Sequence, residues 1–147
     1  MTDQGGWDIR DLAFSPDGSK LIIHAGSNPE DGDAVWVADA VSFRIESRLP
    51  AGRSPHGWTH IGGARLSPDN RRLYLVRCED WNSRIQCIDL GTSQELWQTP
   101  SLDELMLTLD LSPDGRMLAS ASGFLNTTIH IWDTATGALE QTVPLGP

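Results

Sequence analysis

The stretch LSPDG, Leu111 to Gly115, decides how this chain is read, because near-copies stand earlier as FSPDG at Phe14 to Gly18 and LSPDN at Leu66 to Asn70. Proline presets φ for the first central position of a tight turn. Asp or Asn folds back on its own backbone, and Gly or Asn tolerates left-handed geometry. The residue types are therefore explained by a turn alone, and Asp17, Asp69 and Asp114 are read as structural. Three copies carry a different message. Aligned on the pentapeptide, each unit continues alike: SKLIIHAG, AVWVADA and SFRIESRL; then RRLYLVRC, RIQCIDL and SQELWQT; then RMLASASG, TIHIWDT and GALEQTV. Pro16, Pro68 and Pro113 lie 52 and 45 residues apart, and Asp39, Asp89 and Asp133, which end the third segment of each unit, lie 50 and 44 apart. Two markers that drift together define a repeat.

Each unit reads as four short strands, rich in Val, Ile, Leu, Phe and Trp and punctuated by Gly, Pro, Asp and Asn. No segment holds ten residues of helical periodicity, so an all-β chain without helix is expected. First strands are expected at Ile9 to Phe14, Gly63 to Leu66 and Leu105 to Leu111, each ending at its turn.

These units resemble the WD-repeat β-propeller family. The third carries the fullest match, LDLSPDGRMLASASG and TIHIWDTATGALEQTV, including the Trp132-Asp133 dipeptide; the others read Ala38-Asp39 and Ile88-Asp89 at that place. The resemblance implies one chain-long segment, 1–147, of three four-stranded antiparallel blades over about 7–50, 58–99 and 103–145. It also implies a buried network joining a His before the first strand, a Ser or Thr in the second, the Trp and a loop Asp. Ser120 and Trp132 match, the His position is unfilled, and Asn126 stands for the Asp, so an incomplete network is expected.

Three blades are too few to close, since closed propellers have about four to eight. Each blade here reads as complete, with no spare strand in GGWDIRDLAF to lend. The resemblance therefore implies head-to-tail self-association, a homodimer closing six blades ahead of a homotrimer closing nine. The alternative is a piece of a longer single-chain propeller.

The chain has 147 residues and a net charge of −9, which argues against a nucleic-acid partner. Charge is uneven: residues 1–50 hold four basic and nine acidic side chains (−5), 51–99 six and five (+1), and 100–147 one and six (−5). The middle bases are arginines, including Arg65, Arg71, Arg72, Arg77 and Arg84; solvated strand faces or forks for an acidic partner are both open readings. No apolar run approaches the ~18 residues of a membrane span, and the acidic start MTDQGGWDIRDL is no signal peptide, so a cytoplasmic protein without membrane partner is expected. Cys78 and Cys87 are too few for a disulfide scaffold. With a hairpin centred near Trp81, Cys78 would face about Arg84 and the two thiols would stay reduced and partly buried.

Function should reside in irregular loops, which an up-and-down blade gathers on one rim: 27–33, 51–63, 79–83 and 123–127. That rim offers His56, Trp58, His60, Trp81, Arg84, Phe124 and Asn126, with acidic Glu30, Asp31 and Asp33, as an exposed protein- or peptide-binding surface. The bland reading is that Trp58 and Trp81 cover blade tops. His56 and His60 with Asp31 or Asp33 lack a third ligand of fixed spacing, so no metal is expected, nor any other cofactor. His24 and His130 are read as strand residues. No G-x-S-x-G or P-loop occurs, and Lys20 is the only lysine, so a non-catalytic scaffold is expected. A propeller enzyme or sugar site on the 51–63 loop is the alternative.

Overall fold

The computed structural model describes residues 6–26, 32–51, 59–123 and 127–146. Among them lie twelve strands and no helix: β1 (Asp8–Phe14), β2 (Lys20–Gly26), β3 (Asp33–Asp39), β4 (Ile45–Pro50), β5 (Thr59–Leu66), β6 (Arg72–Glu79), β7 (Asn82–Asp89), β8 (Glu95–Gln98), β9 (Met106–Leu111), β10 (Met117–Ser122), β11 (Thr128–Asp133) and β12 (Leu139–Pro144). They pair only with their sequence neighbours, giving three four-stranded antiparallel sheets in the orders β1-β2-β3-β4, β5-β6-β7-β8 and β9-β10-β11-β12. The expected all-β architecture of three meander blades is what the chain forms, and the three sheets leave the ring open.

The pentapeptide builds the first turn of every sheet in the same way. Ser15 Oγ donates to Asp17 Oδ1 (2.7 Å), Lys20 N donates back to Ser15 Oγ (2.9 Å), and Gly18 N donates to Ser15 O (2.9 Å). Ser67, Asp69 and Asn70 repeat these bonds, as do Ser112, Asp114 and Gly115. Gly18, Asn70 and Gly115 all have φ between 61° and 75°, which is why the fifth place of the pentapeptide favours Gly or Asn. The aspartates closing the third strands also cap turns. Asp39 accepts from Ser42 N (2.8 Å), Asp89 from Thr92 N (2.9 Å) and Asp133 from Thr136 N (3.0 Å).

Sheets stack face to face through two cores. Between the first and second lie Ile22, Val35 and Val37 against Ile61, Ala64, Leu66, Leu73 and Leu75. Between the second and third lie Tyr74, Val76, Ile85 and Cys87 against Met106, Leu109, Leu118 and Trp132. Strand alternation sends Leu73 and Leu75 to one neighbour and Tyr74 and Val76 to the other, so β6 is apolar and buried without interruption from Leu73 to Val76.

Two boundaries differ from expectation. The strand opening the second sheet starts at Thr59, not Gly63, so His60 is a strand residue. Its pairing runs His60↔Cys78 and Ile61↔Arg77, then skips Gly62 before Gly63↔Val76. Gly62 is the bulge, and a Cβ there would sit 2.3 Å from Met106 O; at Gly63 it would sit 3.1 Å from Leu109 N. The two glycines mark a close approach of backbones rather than a loop. The segment 79–83 is likewise no long loop. Glu79 already pairs with Asn82, leaving a two-residue turn at Asp80-Trp81, so Cys78 faces Ser83 while Arg77 faces Arg84. Cys78 and Cys87 are both free and fully buried.

Candidate interaction rim

Two rims emerge from the meander. On one, the pentapeptide turns touch from sheet to sheet: Asn70 Nδ2 donates to Asp17 Oδ2 and Ser19 Oγ (both 3.0 Å), and Gly115 lies against Pro68. Trp97 Nε1 joins this smooth side by donating to Thr134 O (3.0 Å). On the opposite rim the ends of the second strands meet the starts of the next sheet, and there the varied side chains collect.

Of the rim candidates, Glu30, Asp31, His56, Trp58, Phe124 and Asn126 lie outside the described residues. Asp33 is not an exposed loop acid. It opens β3 at 4% exposure, and its Oδ2 is the hub of the first junction. It accepts from Ile61 N (2.8 Å) of the next sheet and pairs with His24 Nε2 (3.2 Å) and Arg10 Nη1 (3.3 Å). His60 Nδ1 lies 2.7 Å from both this oxygen and Arg10 Nη1. The carboxylate requires a donor there and the guanidinium an acceptor, so the tautomer selects which bond forms. Burial pushes the Asp33 pKa up, but the bonds from His24, His60 and Ile61 N outweigh it and hold the carboxyl well below its usual range. With Arg10 already supplying the cation, this cluster is a latch between blades.

The second junction is built on the same plan with a weaker acceptor. Ser83 opens the third strand region as Asp33 does, and its Oγ accepts from Met106 N (2.9 Å) and contacts Cys78 Sγ (3.2 Å). Burial raises the Cys78 thiol pKa, which keeps it protonated and unreactive. In the third sheet Trp132 Nε1 donates to Ser120 Oγ (2.9 Å), and the Trp132 ring lies 5.8 Å from that of His130. His130 Nε2 pairs with Glu104, just ahead of β9. This pair departs from the expected network: the His is on the third strand and the acid stands before the first.

Trp81 and Arg84 flank the tight turn of the second sheet. Arg84 and Arg77, directly cross-strand, share Glu79: Arg77 Nε lies 2.6 Å from one oxygen and Arg84 Nη2 3.4 Å from the other. Arg84 is thereby engaged within its own sheet. Trp81 is 73% exposed and borders a hollow of about 370 Å³ between the second and third sheets, lined by His60, Cys78, Asp80, Trp81, Leu105 and Leu107. Leu105 and Leu107 carried no signal in the sequence, where they read as ordinary first-strand residues. Leu107 stands out only through pairing, because β9 skips it at a bulge.

The profile of the family described as WD domain, G-beta repeat matches residues 103–133, which span the start of the third sheet through Trp132 and Asp133. The match falls within one of the three repeat units of the chain. The chain's three sheets share strand order and turn chemistry with that matched unit and fit a three-blade, propeller-like array. No curated protein matches the chain. WD-repeat domains are in general non-catalytic platforms for protein–protein contact.

Proposed function

We propose that this chain is a non-catalytic, cytoplasmic interaction scaffold whose blades complete a propeller by head-to-tail pairing of two copies, six blades in all, presenting one rim to a protein or peptide. The observation that supports it is a mismatch between equivalent positions. In the second blade, Ile61, Ala64, Leu66, Leu73 and Leu75 are buried against the first. Counting from the pentapeptide turn, where Phe14↔Leu21 matches Leu66↔Leu73, the first blade places Ile9, Leu12, Phe14, Leu21 and Ile23 at those positions. Ile9, Leu12 and Phe14 are 63%, 53% and 66% exposed. At the other end, Ala119, Ala121, Ile129 and Ile131 of the third blade occupy the positions of Tyr74, Val76, Ile85 and Cys87, which the second blade buries.

The chain thus bears one unmated face of each kind, and the two kinds are those that mate at both internal junctions. Apolar faces of this extent are expected to be covered. A second copy supplies the matching face by rotation, and the contact closes when the blades' own rotation is continued. Free, buried thiols at Cys78 and Cys87 suit a reducing compartment.

The test is sedimentation of the parent chain and of Phe14→Glu, a change on the open face of the first blade. The reading expects the parent to sediment at twice 16.1 kDa and the variant at 16.1 kDa with its β signal retained. Equal masses for the two would overturn it.

A further inference from the structure

The hollow beside Trp81 has features that folding does not explain. The two-residue turn Asp80-Trp81 has φ of 48° and 73°, the geometry that favours Asn-Gly in a tight hairpin. An L side chain in that region costs on the order of 1–2 kcal/mol, and glycine relieves it. The indole recovers little of this by burial, since most of it faces solvent. A strained, exposed tryptophan is a reason to look for something it holds.

What lies beneath it is apolar. Leu105 and Leu107 come from the third blade and Cys78 from the second, with Asp80 and His60 the polar members of the lining. Leu107 rests on Gly123, where a Cβ would come within 2.7 Å of its Cδ1. At the first junction the equivalent place holds polar side chains. There the bulge of β1 carries Arg10, whose guanidinium reaches Asp33 and His60. The bulge of β5 carries Gly62, so no side chain from that position reaches across the second junction.

Charge selects the partner. Segments 77–84 and 101–107, which border the hollow, hold Glu79, Asp80, Asp103 and Glu104 against Arg77 and Arg84, net −2, on a chain of net −9. We infer that this hollow binds a basic peptide through one large apolar side chain, seated on Leu105 and Leu107 and covered by the Trp81 indole, with flanking cations facing the acidic border. The inference rests on the scaffold reading in placing a peptide on this rim, but not on ring closure.

The experiment uses the full chain and a fluorescein-labelled peptide carrying one phenylalanine flanked by arginines, followed by anisotropy. Saturable binding is expected, weakened at least about ten-fold when the phenylalanine becomes alanine or the arginines become glutamates. Trp81→Gly should lose affinity to the same degree while unfolding at higher urea than the parent, because the turn favours glycine. Leu107→Lys, which sets a like charge on the floor, should also lose affinity. Equal affinity of parent and Trp81→Gly, equal affinity of the phenylalanine and alanine peptides, or no binding at about 1 mM peptide would overturn the inference. Sedimentation of the parent chain keeps the two readings apart. A ring that fails to form shows as a 16.1 kDa parent whose peptide binding is intact.

Discussion

Asp33 Oδ2 and His60 Nδ1 lie 2.7 Å apart across the junction of the first and second blades, and the same oxygen accepts the Ile61 amide. Replacing Asp33 by Ala strands that buried donor and His24 Nε2, at a cost of about 1–3 kcal/mol for each unsatisfied group. The pH dependence has a definite sign. The folded pKa of Asp33 is depressed below 3.8, so its contribution is complete above that value and is lost as pH falls through the folded pKa. Urea unfolding of Asp33→Asn should therefore show a shallower fall in stability below about pH 4 than the parent. Asp17, Asp39, Asp69, Asp89 and Asp114, held low by bonds to their own turns, supply the acid sensitivity that remains.

The turns between third and fourth strands contain a comparison within the chain itself. Phe43, Ser93 and Gly137 occupy the same place, with φ of 58°, 59° and 76°. Phe43→Gly relieves left-handed strain at an exposed site, set against a more flexible unfolded chain, and should raise stability by several tenths to about 1 kcal/mol. Gly137→Ala should do the opposite and by more, since its Cβ would meet Trp97 Cε3 at 2.5 Å. Chemical denaturation of both variants reads the two signs.

Ser120→Ala removes the acceptor of the buried Trp132 indole N–H. A loss of about 1–3 kcal/mol is expected. Trp132→Phe in the same background should cost little beyond its own packing loss, because the stranded donor is gone. A double-mutant cycle on thermal unfolding checks the coupling.

The architecture was legible because turn chemistry is local. Ser, Pro, Asp and Gly specify the same bonds wherever they fall, and three copies count the blades. The rim was legible only in part. Asp33 reads as a loop acid because GD follows a polar run, yet pairing Gly26↔Asp33 draws it into β3 and under the next sheet. Gly62 reads as a loop glycine ahead of a strand starting at Gly63, although backbone approach demands both glycines within the strand. Of the six residues lining the hollow at Trp81, the sequence named two, His60 and Trp81. Leu105 and Leu107 become its floor only when a neighbouring sheet is set beside them, which periodicity does not report.

Assembly through the open faces should respond to salt in a particular direction. The first and last thirds of the chain each carry −5, so like charges oppose an otherwise apolar contact. Screening shortens their reach to about 8 Å at physiological ionic strength and about 3 Å at 1 M. Added sodium chloride should therefore tighten the association, and sedimentation at low and high salt shows it. Weakening with salt would mean that ion pairs, not apolar faces, hold the copies together.

The most direct test of the account is the molar mass of the purified chain by light scattering at micromolar concentration. A value of twice 16.1 kDa is predicted, from six blades shared by two copies. A stable 16.1 kDa monomer, with both open faces left in water, would contradict it.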